Sequence, residues 1–300
     1  LADLRSVQAA AEEFNSKERE LHVLFNNCLS LMACYSGVMI PPIEPLTEQR
    51  YNLQAGTNVL GHFYFTELLM SALLTGAKSS PDGKARVVNT SSFASLFASA
   101  VYFDTLQDTE ARVKKGTMML YCQSKLVCLI NTPRTAGSMS DQLVYFRGLL
   151  FANELARRYG DKGVVLTFLN PGNLDSDLLC ATPRRWSQKS WYAYRFILKT
   201  VSFGDLTQLW AGTSQEGAQL NGRYLIPWAR VANENPAENK LALAQEIWEW
   251  MEEKVVSIQY SIFNEHCFLR YTLDERTSSD IHNSYTTSCT QCSNSGLLFI

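Results

Sequence analysis

Tyr121-Cys122-Gln123-Ser124-Lys125 sets a phenol and an ammonium four residues apart, within a segment from Met118 to Lys125 whose pattern reads as helix. On a helix those two side chains share one face. An ammonium held beside a phenol favours the phenolate and draws the phenol's pKa toward neutrality, so the tyrosine can hand a proton to a carbonyl oxygen. Taken alone, the same spacing describes any ordinary helix face. The segments on either side decide between the two readings. Upstream, Arg86-Val87-Val88-Asn89-Thr90-Ser91-Ser92 reads as a short apolar strand ending in hydroxyls. Downstream, Val164-Val165-Leu166-Thr167-Phe168-Leu169 reads as a second strand, ending in Asn170-Pro171-Gly172. In a doubly wound sheet, ligands gather at the carboxyl ends of strands such as these.

Two further stretches complete the pattern: Asn58-Val59-Leu60-Gly61-His62-Phe63 within a helical run, and Asn26-Asn27 ahead of Gly37. The set of Asn, Ser, Tyr and Lys, with Phe151 to Arg158 after the tyrosine helix, resembles the short-chain dehydrogenase/reductase family, and within it the fungal, retinol-dehydrogenase-like branch. The resemblance covers roughly residues 1 to 255. It implies a Rossmann-like doubly wound α/β fold and hydride transfer between NAD or NADP and a small-molecule carbonyl or alcohol. It further implies that Tyr121 is the acid/base, that Lys125 lowers its pKa and holds the cofactor ribose, and that Ser92 polarises the carbonyl. Asn58 would bond a backbone group at a local helix distortion and hold a water that relays protons to the lysine. Asn26, Asn27, Gly37, Pro171 and Gly172 would lie against the cofactor. Without the resemblance, Asn26-Asn27 equally reads as a turn, and Asn58 as an exposed helix position.

Composition bounds the alternatives. Three hundred residues with 46% hydrophobic content suffice for one sizeable core. A formal net charge of -2 and no run of basic residues give no reason to expect a nucleic-acid partner. No apolar run reaches the length of a membrane span, and the first residues form a charged amphipathic segment, so the expected compartment is the cytosol. The eight cysteines fall mainly in three segments outside the family pattern, which argues against a disulfide framework. Ser288-Cys289-Thr290-Gln291-Cys292, with His266 and His282 nearby, lacks the second cysteine pair that a structural zinc site needs, and no metal is expected.

Along the chain, Leu4 to Lys17 carries apolar residues at Leu4, Val7, Ala10, Ala11 and Phe14, an amphipathic helix expected to cover the sheet. Leu21 to Phe25 reads as a buried strand. Thr47 to Ala77 reads as one long helix, Asp205 to Ser214 as another, Gly222 to Trp228 as a last strand and Leu241 to Val255 as a closing helix. Cys28 to Ser36 and Val127 to Arg147 interrupt family motifs. The second contains Pro133 and Gly137 where a core helix would continue, so both read as insertions. The region from Gly172 to Gly204, with Trp186, Trp191, Tyr192, Tyr194 and Phe196, would form the substrate-side cover. Residues 256–300, rich in Ser, Thr, Asn and Cys, read as a disordered tail.

The Gly-rich turn that takes a pyrophosphate on a helix N-terminus is absent from this sequence. By the family pattern it would lie upstream of residue 1 with the sheet's first strands, roughly 50 to 60 residues of a doubly wound domain. The sequence alone therefore supports two expectations: a reductase that holds its cofactor weakly, or a non-catalytic remnant that has lost the cofactor site.

Overall fold

The computed structural model describes residues 1–27, 38–98, 100–127, 157–175, 198–232 and 245–260. The chain divides into two compact units, Leu1–Val256 and Ser257–Ile300, and of the second only residues 257–260 are described. The segments 28–36 and 128–147, the aromatic-rich cover over 176–197 and the tail from 261 lie outside the described residues.

A five-stranded sheet organises the first unit: β1 (Val23–Asn26), β2 (Ala85–Thr90), β3 (Val164–Leu169), β4 (Arg223–Ile226) and β5 (Arg230–Val231), paired in that order. The first four are parallel, with Leu24 opposite Val87, Val87 opposite Leu166 and Phe168 opposite Tyr224, and β5 is antiparallel to β4. Every residue of β2 and β3 is buried, as a parallel strand covered on both faces requires. β1, read as fully buried, is instead the edge of the sheet among the described residues, and Phe25 remains 38% exposed.

Helices lie on both faces. Alternation along β2 sends Val88 toward α7 (Val201–Thr213), where it packs with Leu169, Ala211 and Leu225, while Arg86 Nη1 on the same side donates to the Gly212 carbonyl at 2.8 Å. Asn89, one residue along, faces the other side and reaches Asn26, which in turn bonds Thr66 of α3 (His62–Leu68). α4 (Met70–Ser79) covers β2 and β3 beside it.

The amphipathic helix α1 spans Leu4–Lys17, with Asp3 capping its N-terminus by accepting from Arg5 N. It buries Leu4, Val7 and Ala11, whereas Ala10 is exposed and Phe14 only partly covered. Its main neighbour is α3 and not the sheet, and Tyr64 Oη of α3 donates to Gln8.

The long helix expected from Thr47 to Ala77 is broken in three places. Residues 47–52 form a turn in which Arg50 takes φ 61° and Thr47 Oγ1 accepts from Tyr51 N, after which Asn52 Oδ1 caps α2 (Leu53–Ala55). A π-helical stretch, Gly56–Gly61, follows, and Leu69 separates α3 from α4. Hydrophobic periodicity cannot distinguish these breaks from continuous helix, and the first two carry polar partners at particular residues, Thr47 and Asn58. A closing helix, α8, covers 245–260 and buries Ile247, Trp248 and Met251, with Trp248 edge-on to Phe63 at 5.1 Å.

Candidate active site

The site assembles where β1, β2 and β3 end. α6 (Thr117–Val127) follows the short α5 (Glu110–Lys115), whose N-terminus is capped by Thr109. From Leu120 onward every residue of α6 is buried, so both Tyr121 and Lys125 lie inside the protein. A buried ammonium is costly unless it is hydrogen-bonded, and Lys125 Nζ, 1% exposed, donates to the Thr90 carbonyl at 3.3 Å, the last residue of β2. The strand end returns the contact through Ser91, whose Oγ donates to the Lys125 carbonyl at 3.1 Å. These two bonds pin α6 to the tip of β2. Lys125 Nζ lies 5.9 Å from the centre of the Tyr121 ring, so the charge and the phenol share one helix face as their spacing predicts.

Asn58 is buried, not exposed, and belongs to the π-helical stretch. Its amide clasps the main chain of Val38: Oδ1 accepts from Val38 N at 2.8 Å and Nδ2 donates to Val38 O at 2.8 Å. The second Nδ2 proton goes to Ser124 Oγ at 3.1 Å, and Ser124 Oγ donates to the Tyr121 carbonyl at 2.9 Å. Asn58 therefore ties the segment after residue 37 to the tyrosine helix.

Ser92 is partly buried and caps the 3-10 turn Phe93–Phe97, its Oγ accepting from Ala94 N at 3.2 Å. That bond leaves its hydroxyl proton to donate. Gln123 holds the neighbouring loop, taking Tyr102 N on Oε1 at 3.1 Å and giving Nε2 to Thr105 Oγ1 at 3.0 Å. The Cys122 thiol is free, and burial pushes its pKa up, which keeps it out of the chemistry.

Asn26 commits its Nδ2 group inside the fold, donating to Thr66 Oγ1 at 2.9 Å and Asn89 Oδ1 at 2.8 Å. Asn27 follows at the strand end, and Gly37 lies outside the described residues. At the tip of β3, Asn170 Oδ1 accepts from Gly172 N, and Gly172 takes φ 95°, a conformation that only glycine adopts without strain. A Cβ there would also crowd Pro227 at 3.3 Å.

His62 lies on α3, one turn past Asn58, and sequence reasoning assigned it no role. Its Nδ1 lies 3.1 Å from the Asn58 main-chain carbonyl. Burial, then the charge of Lys125, lowers its pKa to about 4. The i, i+4 spacing from Asn58 was the available signal.

Among the described residues no group of three His, Cys, Asp or Glu side chains could hold a metal, and no helix is long and apolar enough to cross a membrane. The tail cysteines and His266 and His282 lie outside the described residues.

A mostly parallel sheet flanked by helices, with a buried Tyr and Lys one helical turn apart at its carboxyl edge, defines a Rossmann-like α/β protein. No family model matches the chain. A short-chain dehydrogenase/reductase of the fungus Armillaria gallica is 42% identical over 252 residues, covering 84% of this chain and 70% of its own. One of Phomopsis amygdali is 33% identical over 269 residues, covering 85% and 71%. Human retinol dehydrogenase 11 is 29% identical over 254 residues, covering 83% and 65%. Among solved structures, NADPH-bound carbonyl reductase from chicken fatty liver is 18% identical, covers 78% of this chain and 74% of its own, and has a TM-score of 0.46. The chain belongs to the short-chain dehydrogenase/reductase family.

Proposed function

We propose that the protein transfers hydride between NAD or NADP and a small-molecule carbonyl or alcohol. The observation that carries this reading is the burial of Lys125 at the tip of β2, one turn from Tyr121, within a network that continues through Ser124 to Asn58. When bound, the nicotinamide supplies or accepts the hydride. The chain's own residues govern the proton and the carbonyl.

In the reducing direction, Ser92 keeps its proton and donates a hydrogen bond to the substrate oxygen, which polarises the carbonyl. Tyr121 Oη then gives up its proton to that oxygen as negative charge develops there. Lys125, charged in a low-dielectric surrounding, stabilises the phenolate that remains. Asn58 serves the path that returns a proton to the lysine.

The residues present fit the nicotinamide and ribose end of the cofactor. Lys125 supplies donors at the end of β2, and Gly172, with Pro171 buried beside it, lies at the end of β3. One experiment tests the enzymatic reading. Excess NADPH or NADH raises the melting temperature of the 300-residue protein if it binds the native state. A protein that shows no such rise, and no carbonyl reduction, overturns the enzymatic reading for this chain. Residues 1–255 are inferred to form one such domain with insertions at 28–36 and 127–147, and peptide mass spectrometry of the native protein checks whether both insertions are translated. A cytosolic location is the compartment that matches this reading.

A further inference from the structure

A buried imidazole stands directly behind the proposed relay. Asn58 has committed both Nδ2 protons, to Val38 O and Ser124 Oγ, and its Oδ1 to Val38 N. Its main-chain carbonyl is a further acceptor on the same residue, and His62 Nδ1 sits 3.1 Å from it. A carbonyl can only accept, so the proton of that contact belongs to Nδ1 and a neutral ring carries its lone pair on Nε2. The main chain that carries the ring is itself held: Thr66 Oγ1 donates to the His62 carbonyl at 2.8 Å, and Asn26 donates to Thr66, which ties the His62 backbone to the ends of β1 and β2.

Resting on the enzymatic reading above, we propose that His62 is a positioning residue for the reaction, donating Nδ1–H to the Asn58 carbonyl and fixing the direction of that carbonyl's remaining lone pair for the proton path to Lys125. The Lys125 ammonium, from α6, is the charged side chain that bears on the ring. It opposes the imidazolium, as burial does more strongly, while the Asn58 and Thr57 carbonyls favour it. The ring therefore stays neutral through the range in which Tyr121 would work, and it holds its carbonyl without adding a second positive charge beside Lys125.

Two measurements test this. Nitrogen-15 NMR of the cofactor-free protein, with His62→Asn to assign the resonance among four histidines, reads the tautomer directly. The expected result is a neutral ring protonated at Nδ1 that does not titrate above about pH 5. An Nε2–H tautomer, or a midpoint near the ordinary histidine value, overturns the proposal. In turnover, His62→Leu lowers kcat about tenfold, the equivalent of one hydrogen bond, with KM little changed. His62→Asn, whose amide can reach the same carbonyl, recovers most of that loss. Equal losses in the two variants, or a loss confined to melting temperature, also overturn it. A protein that binds no cofactor brings down the enzymatic reading, and the positioning role with it, while the NMR result still decides the hydrogen bond.

Discussion

On the α7 face of the sheet, Val88, Leu169 and Leu225 close on Ala211 with Trp210 and Leu220 at their margin, an apolar cluster beside the single Arg86 bond to the Gly212 carbonyl. On the α3 face, one residue further along β1 and β2, Asn26 and Asn89 meet Thr66 in a chain of hydrogen bonds that leads to His62 and Asn58. Apolar packing is non-directional and tolerates small shifts, whereas hydrogen bonds fix atoms to a few tenths of an ångström. The face that must aim Asn58 at the tyrosine helix is the polar one, and the face that supplies burial energy carries no chemistry.

If that division holds, substitutions on the two sides will separate activity from stability. Tyr121→Phe is expected to lower carbonyl reduction by about 10²- to 10⁴-fold, the usual worth of a general acid, with the melting temperature unchanged. Steady-state kinetics on a saturating carbonyl reads it, and a Tyr121→Phe protein as active as the parent would place the acid elsewhere. Leu225→Ala, at a fully buried site on the α7 face, is expected to cost about 2–5 kcal/mol in urea unfolding, with kcat of the folded fraction retained.

Glu67 sharpens the contrast, because it lies on α3 turned toward α8 and not toward the site. Its Oε1 has no hydrogen-bond partner among the described residues, and burial, with Glu252 adding to it and Arg158 opposing, raises its pKa to about 7. The folded state therefore binds this proton more tightly than the unfolded chain does. Its contribution favours folding below the ordinary carboxylate range and is lost as pH rises toward 7. Glu67→Gln should flatten that part of the stability profile and stabilise the protein at pH 8 by about 3 kcal/mol, read by unfolding across pH 5 to 8. A parallel, undisplaced profile would rule the carboxyl out as the titrating group. Asn26→Ala, which leaves Asn89 Oδ1 without its donor, is expected to cost about 1–3 kcal/mol and to lower kcat as well, since it loosens the brace behind His62. At the small end, Lys17→Ala removes an exposed ion pair with Glu13 and should change stability by less than about 0.5 kcal/mol.

Local patterns in the sequence carried much of this arrangement. The span Leu4 to Lys17 matches α1 at both ends, the hydroxyl-ended strand and the Pro-Gly-ended strand became β2 and β3, and Tyr121 and Lys125 share a face because four residues make about one turn. What escaped the reading depended on partners far away in the chain. The breaks between Thr47 and Ala77 follow from Tyr51 pairing with Gln107 and from Asn58 clasping Val38, neither of which a hydrophobic period registers. Asn26 reads as a turn residue or a cofactor neighbour at a strand end, yet Asn89 and Thr66 claim its amide, 63 and 40 residues away.

The sequence by itself determined the residue types of the site, the strands whose ends carry it and the helix spacing that pairs the phenol with the ammonium, because each is set by neighbours within one or two turns of chain. Only the tertiary structure decided which polar atoms remain available. Burial and long-range hydrogen bonds turned Asn26 inward, committed the amide of Asn58 to Val38 and Ser124, and set a neutral imidazole behind the Asn58 carbonyl. Those choices are energetic competitions between distant groups for a few donors and acceptors, and they are settled only when the sheet brings the groups together.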